Sequence, residues 1–225
     1  LCSMVAIHLS RLCEELVIWS SAEFGYIKWR SDLATGSSLM PNKKNPDLPE
    51  LVRGRSAQTL GEVVSMLTLL KGLPHSYQRD LQEDKQPVWR SAFIAHSNLV
   101  AIAAALEGIR FNGERMGEAL TDDPFATEMA DILVDRGIPF RSAYRVVSRI
   151  ATAAREKECS IKQVAQEADP SLLEPLTLED IEGLSALKSV ERRTAAGGTA
   201  KSAVQEQMDE AWDIVELYKE RLGIK

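Results

Sequence analysis

The chain has 225 residues, 44% of them hydrophobic, and its 27 lysines and arginines against 33 aspartates and glutamates give a net charge of −6 at pH 7. This length allows one large or two small cores, and the acidic balance argues against a general nucleic-acid surface. No apolar run approaches the roughly 18 residues that could span a bilayer. The three cysteines lack metal or redox spacing, so we expect a cytoplasmic protein with reduced cysteines and no metal site.

The first stretch of the chain has the spacing of an amphipathic helix. Its apolar residues alternate at intervals of three and four while charged residues fall elsewhere, which predicts one apolar seam packed in a helical bundle. The seam consists of Cys2, Val5, Leu9, Leu12, Leu16 and Trp19. His8 lies beside it, where a packed histidine is more common than a catalytic one, so we assign it no chemistry.

Two further long helices are predicted. The second begins at Pro46 with Asn45 as its cap and runs to about Leu70, because proline suits a first helical position and asparagine suits a cap. Its later part is apolar on nearly every side, as in a helix surrounded by others. A polar connection leads to a third helix, from about Pro87 to Asn112-Gly113. Three antiparallel long helices are therefore the minimum architecture.

The segments after Phe111 are shorter and more mixed in composition. Helices are predicted over residues 125–134, 138–154 and 161–167, in two short pieces within 172–187, and after 197–199. Thr177 and Asp180 stand in capping-box order, and Thr199 is the predicted cap of the last helix. We find no convincing strand pattern. The prediction is an all-α fold with two domains, a bundle over residues 1–110 and a small helical domain over 111–225.

One loop concentrates reactive side chains. Residues 36–46 carry two hydroxyls, two ammonium groups and two carboxamides between predicted helices. Ser37 or Ser38 could handle a proton, Lys43 could supply charge and Asn45 could donate hydrogen bonds, which together suit a substrate that bears carboxylates. On the residue types alone, an ordinary polar linker followed by a helix start is an equally good interpretation.

A resemblance favours the catalytic interpretation. The string GSSLMPNKKNP over residues 36–46 resembles the signature of the fumarase/aspartase superfamily, and Lys71-Gly72-Leu73-Pro74, Tyr77 and the run LQEDK over 81–85 resemble its argininosuccinate lyase family in particular. The likeness extends over residues 5–205 and includes 126–131, 139–141 and 197–200. Members of this family are about twice as long as this chain and match it over their second half. We therefore interpret the chain as the C-terminal half of a lyase subunit.

The resemblance implies an activity and an assembly. The activity is the reversible β-elimination of argininosuccinate, a small-molecule substrate, to arginine and fumarate in arginine biosynthesis, without a cofactor. The assembly is a homotetramer in which long helices from four subunits form one bundle and each active site draws on three subunits. Exposed apolar helix surface in excess of one chain's needs would be consistent with this assembly.

The resemblance also assigns roles within the loop. The serine directly after the glycine, Ser37, matches the base that removes the proton, and Ser38 is the nearby alternative and otherwise a substrate-binding residue. Lys43 and Asn45 match groups that stabilise the doubly charged carboxylate formed when the proton leaves. A serine is a weak base at its ordinary pKa, so this role requires a cationic, water-poor site.

Four residues outside the loop complete the expected set. Tyr77, Gln82 and Lys85 match substrate-binding positions, the lysine being suited to a carboxylate and the other two to hydrogen bonding. Glu50 matches a carboxylate that orients a histidine, the expected proton donor. No histidine of this chain matches that donor, so we expect this chain alone to be inactive.

Two other functions stay open at this stage. A related elimination on adenylosuccinate or aspartate would use the same loop, although the LQEDK run favours argininosuccinate. A non-catalytic oligomerisation module would keep the helices without needing Ser37, Lys43, Gln82 and Lys85 together. The chain also departs from the family at a few positions, including Tyr144 where histidine is usual, and these leave room for a changed specificity.

Overall fold

The computed structural model describes residues 1–30, 33, 35–36, 44–120, 123–167 and 176–224. The chain divides into two compact units, Leu1–Met116 and Gly117–Lys225.

Three long helices form the first unit. They are α1 (Cys2–Ser20), α2 (Asp47–Leu70) and α3 (Lys85–Glu107), and each of them packs against the other two. Ser3 on α1 donates to the carbonyl of Thr59, whereas Glu14 pairs with Arg53, so α1 and α2 run in opposite directions. A 3₁₀ helix (Arg79–Asp84) leads from α2 to α3, and the short α4 (Gly113–Glu118) follows α3. The predicted three-helix arrangement is therefore present.

The core of this unit is small for the length of its helices. Its buried cluster consists of Leu9, Cys13, Val52 and Ile102. By contrast, α2 and α3 expose many large apolar side chains, among them Leu60, Val64, Leu67, Trp89, Phe93 and Val100. Contiguous exposed apolar surface of this kind indicates a contact surface for another polypeptide segment.

The all-α class is confirmed, but the expectation of no strands is wrong for two short ladders. Strand β1 (Ile27–Trp29) pairs antiparallel with β4 (Ile109–Phe111), and β2 (Thr35–Gly36) pairs antiparallel with β3 (Lys44–Asn45). Strands of two or three residues are too short to show an alternating pattern in the sequence, because that signal needs about four residues or more.

Two predicted helix caps are also wrong. Pro46 is the N-cap of α2, with no side-chain cap hydrogen bond, because the backbone of Asn45 is paired in a ladder with Thr35. The last helix has Ala200 at its N-cap, and the Thr199 hydroxyl donates instead to the carbonyl of Val190. Propensity favours these residues as caps, but tertiary hydrogen bonds decide which group each side chain reaches.

Six helices form the second unit within its described residues. They are α5 (Asp123–Asp135), α6 (Phe140–Glu156), α7 (Ile161–Glu167), α8 (Leu178–Glu182), α9 (Ala186–Glu191) and α10 (Lys201–Leu222). The core draws on α5 to α8, with Met129, Leu133 and Ile181 fully buried. The predicted capping box is confirmed: Thr177 caps α8 and Asp180 bonds back to the Thr177 backbone.

An ionic network ties the two residues that follow α9 to α5. Glu128 is 3% exposed, and its Oε1 lies 2.7 Å from Nη1 of Arg192, whose Nη2 reaches Asp135 at 2.6 Å. Arg193 pairs with Asp131 and lies 3.5 Å from Oε2 of Glu128. Because a buried carboxylate is costly without partners, these arginines make the burial of Glu128 possible.

None of the helices in the described residues combines the length and the hydropathy that a bilayer crossing requires.

Candidate functional site

The described part of the signature loop is its neck, the β2–β3 ladder. Thr35 is opposite Asn45 and Gly36 is opposite Lys44. The Thr35 hydroxyl donates to the carboxylate of Asp47 in the first turn of α2. These contacts join both ends of the loop to the start of a rigid helix. Three of the predicted site residues, Ser37, Ser38 and Lys43, lie outside the described residues.

A cavity of about 320 Å³ lies beside this neck. Its walls include Thr35 from the neck and Asp47 and Arg55 from α2, over an apolar floor that includes Val52 and Ala101. A cation and a carboxylate over an apolar floor suit a small ligand that carries charges of both signs. Asp47 and Arg55 are not among the site residues predicted from the sequence. Their place on the helix directly behind the loop is the signal that could have found them.

Glu50 is exposed in the first turn of α2, close to the loop neck. Arg53 follows one turn later, and its Nη1 donates to Oε2 of Glu14 on α1 at 2.5 Å. The hydrogen bond to Glu14 raises the pKa of Arg53, and the nearby charge of Glu50 adds to this effect. Arg53 therefore lies near the carboxylates of both Glu14 and Glu50.

Tyr77, Gln82 and Lys85 lie together in the segment that follows α2. Gln82 Nε2 donates to the Tyr77 hydroxyl at 3.4 Å, and Tyr77 is 69% exposed. Lys85 Nζ lies 2.7 Å from Asp84 in an exposed pair. Such surface pairs contribute about 0–1 kcal/mol, so a ligand carboxylate can replace Asp84 at small cost. Ser76, directly before Tyr77, has a φ of 79°, a left-handed conformation that few residues other than glycine adopt.

The structure brings the predicted residues together as two separate groups. Asn45 and Glu50 lie at the N-terminal end of α2, whereas Tyr77, Gln82 and Lys85 follow its C-terminal end. With a rise of about 1.5 Å per residue, the 24 residues of α2 span roughly 36 Å.

A contact between helices shows that the chain does not fold back to close this gap. Arg90 Nη1 on α3 donates to Oε1 of Glu62 at 2.8 Å. Glu62 is already roughly 18 Å along the axis from Glu50. Lys85 lies before Arg90 on the antiparallel α3 and is therefore farther still from Glu50. One chain does not bring its two groups to the same small molecule.

Among the described residues, no group of three or more histidine, cysteine, aspartate or glutamate side chains is arranged to hold a metal ion.

The chain matches two protein families along its length. The family described as "Lyase" matches residues 1–61, which include the loop and the start of α2. The family described as "Argininosuccinate lyase C-terminal" matches residues 124–217, most of the second unit.

Individual relatives agree with these matches. Argininosuccinate lyase of Herpetosiphon aurantiacus is 42% identical over 210 residues, which is 92% of this chain and 45% of the relative. The crystal structure of EDDS lyase in complex with formate has a TM-score of 0.78 and 28% identity, covering 98% of this chain and 46% of that chain. A variant of EDDS lyase with bound fumarate has a TM-score of 0.75 and 25% identity, with the same coverage of both chains.

The chain spans about half the length of the relatives that it matches. The part of the curated relatives that it matches is their C-terminal half, as the resemblance of the loop and of the LQEDK run predicted. This chain therefore belongs to the argininosuccinate lyase family of the fumarase/aspartase superfamily.

Proposed function

We propose that the protein containing this chain is an argininosuccinate lyase, which cleaves argininosuccinate reversibly to arginine and fumarate. The observation that carries this proposal is the 42% identity to a named argininosuccinate lyase over 92% of the chain. That identity extends across both units, so it includes the loop and the segment that holds Tyr77, Gln82 and Lys85. The reaction serves arginine biosynthesis, and we assign it to the cytoplasm.

The β-elimination requires a base and groups that stabilise negative charge. Removal of a proton beside a carboxylate places a second negative charge on that group, so cations and hydrogen-bond donors must already be in position. We assign Ser37 as the base, Ser38 as a substrate contact, and Lys43 and Asn45 as the stabilising groups. The ladder that holds Asn45 against Thr35 supports this assignment, because it joins the loop to the rigid start of α2.

Glu50 acts on the proton donor rather than on the substrate. We assign it to orient a histidine from outside this chain. Its exposure at the start of α2 leaves the carboxylate available to such a partner. Arg53, one turn along and anchored to Glu14, lies near this carboxylate, whose oxygens can accept a hydrogen bond from an imidazole.

Tyr77, Gln82 and Lys85 bind the substrate. The ammonium group of Lys85 pairs with a substrate carboxylate, and the Tyr77 hydroxyl and Gln82 carboxamide supply hydrogen bonds. Their proximity in one exposed segment, with Gln82 bonded to Tyr77, supports a shared role. The positive φ of Ser76 sets the backbone direction from which Tyr77 departs.

The active protein is a homotetramer whose sites combine residues from different copies. Two observations support this assembly. The length of α2 separates the loop from the segment that holds Tyr77, Gln82 and Lys85 by more than a small substrate can bridge. The exposed apolar faces of α2 and α3 also offer surface for further helices. Each site then receives its loop from one copy and its substrate-binding segment from another.

The two predicted domains have different tasks. The bundle of residues 1–110 carries every assigned catalytic and binding residue. Residues 111–225 form the small helical domain, which carries none of them.

A second candidate reaction is the same elimination with another amine in place of arginine. The match to EDDS lyase, over 98% of the chain but at 28% identity, favours it less than the 42% match favours argininosuccinate. Both reactions would use the same loop and would differ in the amine half of the substrate.

The test is a substrate assay on the full-length subunit with Lys85→Met and with Lys71→Met as a matched control. Lys71 follows α2 without belonging to the assigned site. A lost charge-assisted hydrogen bond of about 1.5–3 kcal/mol should lower kcat/KM roughly 10- to 100-fold in Lys85→Met. The control should resemble the wild type. Turnover of another succinate–amine adduct but not of argininosuccinate would replace the proposed substrate.

A further inference from the structure

Helix α10 is the most exposed long helix of the second unit. It has 22 residues, and only Ala203 in its first turn is buried. From Val204 to Ile224 every side chain is exposed except Lys219, which is half-buried. Its start is fixed to the unit, since the backbone N–H of Ala200 donates to the carbonyl of Arg193. Most of the stability of a helix in a protein comes from packing of its apolar face rather than from propensity, so this exposed helix calls for a partner.

The exposed apolar side chains of α10 form a continuous seam. They recur at successive spacings of four, three, four, three and four residues, which is the a/d pattern of a coiled coil. The seam consists of Val204, Met208, Ala211, Val215, Tyr218 and Leu222. Its five large members are between 41% and 68% exposed. The acidic residues lie on the other side of the helix, at 206, 209, 210, 213, 216 and 220. This separation fits a second helix laid along the seam.

We propose that α10 pairs with α10 of a second copy of this chain in an antiparallel coiled coil. The pairs of residues that face each other across the two seams favour the antiparallel direction. Antiparallel pairing sets Ala211 opposite Val215 of the second copy and Met208 opposite Tyr218 of the second copy, so a smaller residue faces a larger one. Parallel pairing would set Ala211 opposite Ala211, leaving a gap, and Tyr218 opposite Tyr218, crowding the adjacent layer.

The charges beside the seam favour the same arrangement. In the antiparallel pair, Lys219 faces Gln205 of the second copy and Arg221 faces Gln207, so no two like charges meet. The positive N-terminal end of each helix lies beside the negative C-terminal end of the other. The acidic residues remain in water on the outer faces. The pair is therefore free of charge conflict along its whole length.

The middle of the pair has the features of an interface centre. The two-fold axis passes near residue 213, and Trp212 and Ile214 flank the seam on either side of it. Both side chains are exposed in the single chain, at 58% and 56%. Each would pack near the same residue of the second copy across the axis. Tryptophan is among the residue types most enriched at binding hot spots, which cluster near the centre of an interface.

The test is disulfide trapping in the full-length subunit, where the seam is available to a second copy only if the rest of the subunit leaves it uncovered. The background carries Cys2→Ser and Cys159→Ser, and serine in place of any cysteine outside this chain, while buried Cys13 is kept. Val204→Cys and Leu222→Cys chains are oxidised separately and as a mixture. The antiparallel pair places residue 204 of one copy opposite residue 222 of the other. We expect the mixture to give a heterodimer as its main cross-linked product, with at least tenfold less homodimer in either separate sample.

Two controls complete the experiment. A mixture of Glu206→Cys and Glu220→Cys chains, with both thiols on the outer face, should form at least tenfold less heterodimer. Val215→Glu in the trapping pair should remove the product because it puts a charge into the seam. Trapping of residue 204 to itself, or equal trapping of the outer-face pair, would overturn the proposal, and so would no trapping at all. None of these outcomes bears on lyase activity.

Discussion

Cys13 shows how burial sets the chemistry of a single side chain. It is 0% exposed in the core of the first unit, and burial raises the pKa of its thiol to about 11, although Arg53 opposes this shift. Cys2 and Cys159 are only partly buried. Because the thiolate is the reactive form, the three cysteines should differ in reactivity.

The prediction is a labelling pattern in the native chain. At pH 8, Cys2 and Cys159 should react with a maleimide, and Cys13 should react only after unfolding. Because the pKa of the buried thiol is raised, its protonated form contributes stability at pH values below the unfolded pKa of about 9. This contribution is lost as the pH rises toward 11. Mass spectrometry of digested, labelled protein measures the pattern, with Cys13→Ala as the control for assignment. Rapid native labelling of Cys13 would contradict the burial.

The candidate residues differ in the sequence signal that marks them. Gln82 and Lys85 were predicted from a resembling motif, and the structure adds that Gln82 bonds to Tyr77. Arg55 was not predicted, because the feature that distinguishes it is its position in the wall of a cavity, and that position depends on how α2 packs.

At the level of elements, periodicity predicted that three long helices exist, but the third ends at Glu107 rather than at Asn112-Gly113, and residues 109–111 form β4 instead. The second predicted helix ends at Leu70, as observed, because repeated apolar spacing over 24 residues is a strong signal. The short strands and two caps were not predicted. Asn45 pairs with Thr35, ten residues away along the chain, and the β1–β4 ladder joins residues that are farther apart still. Such pairings depend on tertiary structure rather than on local preference.

The capping box of α8 is one element whose energetics can be tested. Burial opposes ionisation of Asp180, but the hydrogen bonds from Arg136 and Thr177 outweigh it and lower the pKa of this carboxyl. A lowered pKa contributes stability above the unfolded value of about 3.8, and the contribution is lost as the pH falls through the folded value. The charged form of Asp180 should therefore stabilise the second unit at neutral pH.

We expect Asp180→Asn to lower the free energy of unfolding by about 0.5–2 kcal/mol at pH 7, the range for a lost cap. The difference from the wild type should stay constant down to about pH 5 and shrink below pH 4. Urea unfolding at pH 7, 5, 4 and 3 measures it. Glu179→Gln, an exposed neighbour outside the box, is the matched control. A difference that grows as the pH falls would contradict the lowered pKa.

At the scale of the whole molecule, α2 acts as a spacer. Its N-terminal end holds Asn45 and Glu50 beside the loop, and its C-terminal end leads to Tyr77 and Lys85. A bundle helix of 24 residues cannot bend back on itself, so the two groups of one copy cannot contact the same substrate molecule. The sequence could suggest each group separately. Only the structure shows that one copy keeps them apart.

The central claim is that one active site takes its loop and its substrate-binding segment from different copies. The most direct measurement co-expresses full-length subunits carrying Ser37→Ala with subunits carrying Lys85→Met and assays fumarate release from argininosuccinate. Random mixing leaves about a quarter of such shared sites with neither defect, so the mixture should recover about a quarter of the wild-type activity although each variant alone is strongly impaired. Activity in the mixture no higher than the average of the two separate variants would mean that each site uses both groups from one copy and would contradict the account.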